Sequence, residues 1–266
     1  MSHPTEPPRA RSDAPFLTAL CVLGGAYLLL VADASFTSPD DLLQALRSRE
    51  IRYSIKLSLV SCSITAILSV WVAVPLGYLL SRHDFRGKAL LDVLLDVPIV
   101  LPPLVVGLSL LILFQTLPGQ ALETVWPITY AIPAVILAQF AVSAAFAVRT
   151  MRVTFEQLPP RTEQVARTLG CSRHEAFWRV VLPEARPGLL TAATLAWARA
   201  LGEFGPILVF AGATRMRTEV MPTTVFLELS VGKIEAAIAV SLLMIAVAAV
   251  VLVLTRAFGL RGTGLI

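Results

Sequence analysis

Glu156–Pro187 reads EQLPPRTEQVARTLGCSRHEAFWRVVLPEARP, a polar, arginine-rich island between long apolar runs. Pro159 and Pro160 stop any helix entering it, because proline lacks an N–H and pushes its predecessor out of α geometry. Pro160 suits the first turn of a new helix through Leu169, and Gly170 falls where a left-handed residue would end it. Ser172 and Glu175 have the spacing of a capping box, which opens a second helix expected to stop before Pro183. Two short helices joined at a glycine should therefore lie side by side on one face of whatever the apolar runs build.

Those runs dominate the composition. The chain is 56% hydrophobic and 15% charged, against roughly 45–50% and 25% in soluble domains. Its mean hydropathy is +0.76. A bilayer needs about 20 apolar residues per helical crossing. The reading is an all-α integral membrane domain over residues 15–266, preceded by a Pro-rich disordered tail, residues 1–14. About six spans are expected. The first, Phe16–Ala32, is followed by a short external helix from Pro39 to Leu46. The others run about Ile55–Leu80, Val97–Leu117, Ala131–Val148, Gly188–Ala211 and Ile234–Leu254. Ala32-Asp33-Ala34 also fits a signal-peptidase site, so a retained first span and a cleaved leader both stay open. Pro98, Pro102 and Pro103 should break the third span near its inner end, and Pro118-Gly119 reads as a turn.

Charge orients the chain. Of the 22 Lys and Arg, the tail, the second–third loop, the island (residues 149–187) and the C-terminus hold fourteen, the opposite loops seven, and Arg199 lies inside a span. The positive-inside rule puts the island and both termini in the cytoplasm of a multi-pass cell-membrane protein. The net charge of +4 is thus an orientation bias, and no nucleic-acid partner is implied. Cys21, Cys62 and Cys171 read as packing residues.

Aligned on Gly170, the island resembles the EAA loop of binding-protein-dependent ABC transporter permeases, whose spacing is EAA-x3-G-x9-IxLP. Gln164-Val165-Ala166 and Val180-Val181-Leu182-Pro183 fall in register, with Gln164 at the glutamate position and Glu163 one residue early. The resemblance implies a coupling helix that docks on an ATPase subunit through Glu163, Gln164, Ala166, Gly170, Leu182 and Pro183. Trp197–Gly205, WARALGEFG, resembles the molybdate, tungstate and sulfate branch, as do residues 82–88 and PIVLPPLVVG over Pro98–Gly107. It implies the type I importer fold, oxyanion substrates (molybdate or tungstate, with sulfate or thiosulfate as the alternative) and an assembly of two permeases, two ATPases and an external binding protein. ATP and magnesium belong to the ATPase; this chain needs no cofactor and no metal.

No catalytic constellation competes. His174-Glu175 begins like a zinc-protease motif, but Trp178 stands where the second histidine is required. Gly87-Lys88 has Arg82 where a phosphate-binding loop needs glycine. A secondary carrier would show internal repeats, and an intramembrane enzyme clustered acids or a nucleophile. Arg199 and Glu203 are the deep charges, about 18 Å and 24 Å along the fifth span at ~1.5 Å per residue. Spaced one turn apart, they are expected to pair as a gate-side lock, with Gly202 and Gly205 letting helices approach closely around them. Arg215 and Arg217 are candidate contacts for the external binding protein.

Overall fold

The computed structural model describes residues 24, 28, 31–33 and 35–262. The tail, the body of the first apolar run and Cys21 lie outside the described residues. The secondary structure among those described is helical: α1 (Pro39–Arg47), α2 (Arg49–Arg82), α3 (Lys88–Val100), α4 (Pro103–Gln115), α5 (Leu117–Val125), α6 (Ile132–Gln157), α7 (Pro160–Thr168), α8 (Arg173–Ala176), α9 (Leu182–Glu184), α10 (Arg186–Leu201), α11 (Met221–Ser230) and α12 (Ile234–Gly262). Two wide π-turns, Phe177–Val181 and Ile207–Ala211, join the series.

The long apolar runs become the long helices, α2 continuing through Pro75. Among the described residues, α2, α6 and α12 are each long and apolar enough to cross a membrane, and the bent pair α3–α4 adds a fourth when counted as one broken span. The sequence expected about six; the fifth run falls short as one helix because α10 stops at Leu201. At ~1.5 Å per residue, the 34-residue α2 runs to about 51 Å and overshoots a ~30 Å hydrocarbon core. α2 and α6 form the central pair, crossed by α10, while α12 packs on α11, α10 and α1. The buried seam of α2 is built from Ser54, Ser58, Ser61, Cys62, Thr65, Ala66, Ser69 and Ala73. Small residues let helices approach where lipid supplies no hydrophobic drive. Most of the hydroxyls find partners: Ser54 Oγ donates to the Ile51 carbonyl, and Ser58 Oγ accepts the Met221 N–H at 2.8 Å, whereas Ser69 Oγ is buried without one.

Four boundaries differ from the sequence reading, each for a physical reason. The third span starts earlier, at Lys88, and breaks at Leu101–Pro102 with a bend of 113°. Pro118-Gly119 opens α5 instead of forming a turn, since proline is tolerated in a helix's first turn. α6 runs on to Gln157, so Arg149 and Arg152 are helical. There Arg149 pairs with Asp96, and Arg152 with Asp92 and Glu156, tying α3 to α6. Finally, the helix does not stop before Pro183. The π-turn lets the Leu182 N–H reach the Phe177 carbonyl, and the wider turn admits the proline in α9.

Candidate coupling face and gate

The island is a helix pair with both ends chemically sealed. α7 closes in a Schellman motif: the Gly170 N–H bonds the Arg167 carbonyl and the Cys171 N–H bonds the Ala166 carbonyl, both at 3.1 Å. That geometry needs a left-handed residue, and Gly170 has φ +96°. α8 opens with the capping box: the Glu175 N–H donates to Ser172 Oγ, while the Ser172 N–H donates to Glu175 Oε2 at 2.9 Å. Donation from the Ser172 N–H and hydroxyl holds the Glu175 carboxyl below its ordinary range.

Residues that the sequence did not single out mount this pair on the spans. Tyr78 at the end of α2 stacks edge-on with Phe155 of α6 and Phe177 of the π-turn, at centroid distances of 5.6 Å and 4.8 Å. Its hydroxyl donates to Glu163 Oε1 at 2.8 Å, and Arg82 Nη2 donates to the Leu158 carbonyl. Glu163 thus faces inward to the bundle. Gln164 faces a surface cleft of about 480 Å³ shared with Arg167, Thr168, Cys171, Ser172 and Arg173. Ala166 is buried, while Val165 and Leu169, one turn apart, are 56% and 81% exposed. Leu182 and Pro183 sit in α9, half-buried, away from that cleft. The aromatic contacts were not legible in sequence because they join positions separated by about a hundred residues with no shared motif.

At the other site α10 ends at Leu201, and Gly202, Glu203 and Phe204 leave the helix before the chain turns again at Gly205. Arg199 and Glu203 nevertheless meet, Nη1 to Oε2 at 2.5 Å. Glu203 is 1% exposed, and the Arg199 guanidinium lies 5.8 Å from the Phe146 ring centroid. The expectation for the glycines divides. A Cβ on Gly205 would come within 3.1 Å of Pro103 and Leu104, so close approach is real there, whereas Gly202 has open space around it and serves as the C-cap. Gly107, which the sequence reading passed over, is the tighter contact: its Cβ would stand 2.7 Å from Pro206 Cα. Gln139, also missed, crosslinks three helices beside this break. Its Nε2 donates to the Ala200 carbonyl at 3.2 Å and its Oε1 accepts from Thr65 Oγ1 at 3.1 Å.

Between the fifth and sixth runs, Arg215 is engaged within the chain, pairing with Glu50 of α2 and with Glu228 of α11. The Arg215 side chain keeps 32% of its surface exposed. Arg217 is exposed and, among the described residues, forms no ion pair; its carbonyl accepts from the Tyr53 hydroxyl. Glu219 is fully buried, and neither carboxylate oxygen accepts a well-formed hydrogen bond. Burial pushes its carboxyl up, with Thr224 and Arg215 close enough to offset part of the effect.

Comparison with known proteins agrees with this geometry. The family model described as "Binding-protein-dependent transport system inner membrane component" matches residues 73–261. The chain is 41% identical over 154 residues to the molybdate/tungstate transport system permease protein WtpB of Pyrococcus abyssi, covering 58% of each chain. It is 34% identical over 216 residues to the sulfate transport system permease protein CysT of Salmonella typhimurium, covering 79% of this chain and 78% of the relative. With the first of these relatives the match spans less than two thirds of either length. The fold is that of a permease chain in a bacterial alginate ABC transporter crystallised with its alginate-bound periplasmic protein. That likeness has a TM-score of 0.75 and 15% identity over 95% of this chain and 96% of that one. A match over residues 73–261 takes in the bent third run, the glycine-joined helix pair, the Arg199–Glu203 break and α12, and the chain therefore belongs to the binding-protein-dependent transport system inner membrane component family.

Proposed function

We propose that this chain is the permease subunit of an ATP-driven ABC importer for an oxyanion, molybdate or tungstate. The observation that carries the coupling half is the island. It is a rigid helix pair, sealed at Gly170 and Ser172, bolted to α2 and α6 through Tyr78, and it leaves Val165 and Leu169 bare beside Gln164. Such a surface suits insertion into a groove on a cytoplasmic ATPase, which would hold the ATP and magnesium. The charge bias supports a cytoplasmic placement of this face and of both termini. Two copies of the chain would enclose the pathway, with an external binding protein delivering substrate to the face that carries Arg217. Force from the ATPase would pass through the π-turn and α9 directly into α10, so the helix that carries Arg199 moves with the island.

The substrate half rests on relatedness to the molybdate/tungstate permease. Sulfate is the second reading, favoured by the longer match to the sulfate permease. Reconstitution with the cognate ATPase and binding protein separates them: binding protein loaded with molybdate or tungstate should stimulate ATP hydrolysis, and sulfate should not. Stimulation by sulfate alone would move the assignment to sulfate. Uptake independent of ATP would remove the importer reading altogether.

A further inference from the structure

A groove of about 1310 Å³ runs along the flank of α2 and α10 and ends at the island. Its wall is apolar, including Ile67, Trp71, Leu79, Leu189 and Ala193, and among the described residues no acidic side chain lines it. From Ala66 to Leu79 the wall extends about 20 Å along α2 at ~1.5 Å per residue. That exceeds half of a ~30 Å hydrocarbon core. The polar end is basic, formed by His83 and Arg173.

Two features of that end are unexplained by the chain alone. Arg173 Nη2 contacts His83 Nε2 with no carboxylate between them. Arginine can only donate, so Nε2 accepts and the ring proton sits on Nδ1. Nδ1 is itself buried without a partner. Arg173 forms no ion pair among the described residues; it lies near the Tyr78 hydroxyl, which donates to the Glu163 carboxylate. Buried donors of this kind call for an acceptor. The arrangement is a long apolar slot capped by converging donors and positive charge.

We propose that this groove is a binding site for an anionic phospholipid: acyl chain along α2 and α10, phosphate at Arg173 and His83. Basic pockets on the cytoplasmic side of helical membrane proteins bind anionic headgroups by the same logic. Its placement in the inner leaflet rests on the orientation proposed above; the binding itself does not. The lipid would lie against both the helix that carries the island and the helix that the island drives, so it would act on coupling rather than on substrate.

The test uses two of the four tryptophans. Trp71 and Trp178 line the groove, so a Trp126→Phe, Trp197→Phe background leaves them as reporters. Dibrominated phosphatidylglycerol and dibrominated phosphatidylcholine are titrated into the purified full chain in detergent micelles. Phosphatidylglycerol should quench at an about fivefold lower mole fraction, the factor that one basic side chain contributes near an anionic surface. Arg173→Gln should abolish that preference, Arg173→Lys should restore it, and Arg179→Gln should leave it unchanged. Native mass spectrometry of the chain with all its tryptophans should show phosphatidylglycerol retained and lost with the same variants. Equal quenching by both lipids would overturn the proposal. So would a disulfide between cysteines placed at Ile67 and Leu28, within or between copies, since it would give the groove to a protein helix. Neither result bears on transport, which the reconstituted ATPase measures separately.

Discussion

Gly170 carries its constraint in the backbone and not in packing, since a Cβ there would meet nothing within 4 Å. Asn tolerates the left-handed region, whereas a β-branched residue does not. Gly170→Asn should keep binding-protein-stimulated ATP hydrolysis. Gly170→Val should cut it by roughly fivefold to thirtyfold, the population change that 1–2 kcal/mol of strain implies, without loss of membrane insertion. Arg199 and Glu203 pose the opposite case, in which the partner matters more than the place. Arg199→Gln strands a carboxylate that is 1% exposed. The cost is about 2 kcal/mol, below the ~3–5 for a fully buried pair because Arg199 keeps some solvent. Adding Glu203→Gln should recover most of it, read as melting temperature and transport together; purely additive losses would end the lock reading. Glu219 adds a pH dependence. Its raised carboxyl favours the protonated folded form, so that contribution is present at acid pH and lost as pH rises through the raised value. Glu219→Gln should therefore raise the melting temperature at pH 7.5 by a few degrees. The gain should fade towards the ordinary glutamate value of 4.5.

The elements differ chiefly in how they absorb proline and glycine. Pro75 lies inside α2 without ending it, Pro183 is admitted by a π-turn, and the prolines at 102 and 103 turn the chain by 113°. Local sequence marks such positions as breakers but does not say which will break. That depends on whether neighbouring helices satisfy the freed carbonyls. The α6–α10 crossing is similarly set by contact: a Cβ on Gly188 would stand 2.1 Å from Thr154 Oγ1. Gly188→Ala should cost about 1–3 kcal/mol by overpacking. Thr154→Gly in the same chain should recover much of it, by thermal melting in detergent. Failure of that rescue would mean that the crossing is held elsewhere. The break after Leu201 belongs here too. A hydropathy run through residues 188–211 hides it, because the apolar run resumes at Phe204 past the single charge of Glu203 and only the packing of Gly205 on Pro103 shows the chain leaving the helix.

Across the whole molecule, the segment between α10 and α12 is tied to α2 by a double ion-pair clamp beside the hydrogen bonds of Tyr53 and Ser58. Arg215 ties α11 to the start of α2 through Glu228 and Glu50, whereas Arg217 projects free of ion pairs. The two arginines should therefore separate experimentally. Arg215→Glu should lower the melting temperature and the folded yield with no binding protein present. Arg217→Glu should leave stability unchanged and raise, by several-fold, the concentration of binding protein needed for half-maximal ATPase stimulation at low salt. An unaltered concentration dependence would take Arg217 out of the docking surface.

The sequence by itself determined the membrane class, the glycine-joined helix pair, both of its caps and the pairing of Arg199 with Glu203. Each of these is written in hydropathy, in residues with special backbone chemistry, or in spacings of three and four residues along the chain, although Glu203 meets Arg199 from just beyond the helix end. Tertiary structure alone decided where Glu163 and Arg215 point, that Gln139 and Tyr78 are the crosslinks, that Gly107 rather than Gly202 makes the close approach, and that a basic-ended groove opens beside the island. Those outcomes arise from contacts between helices far apart in the chain, where a side chain's partner is chosen by the crossing of two helices and not by its neighbours in sequence.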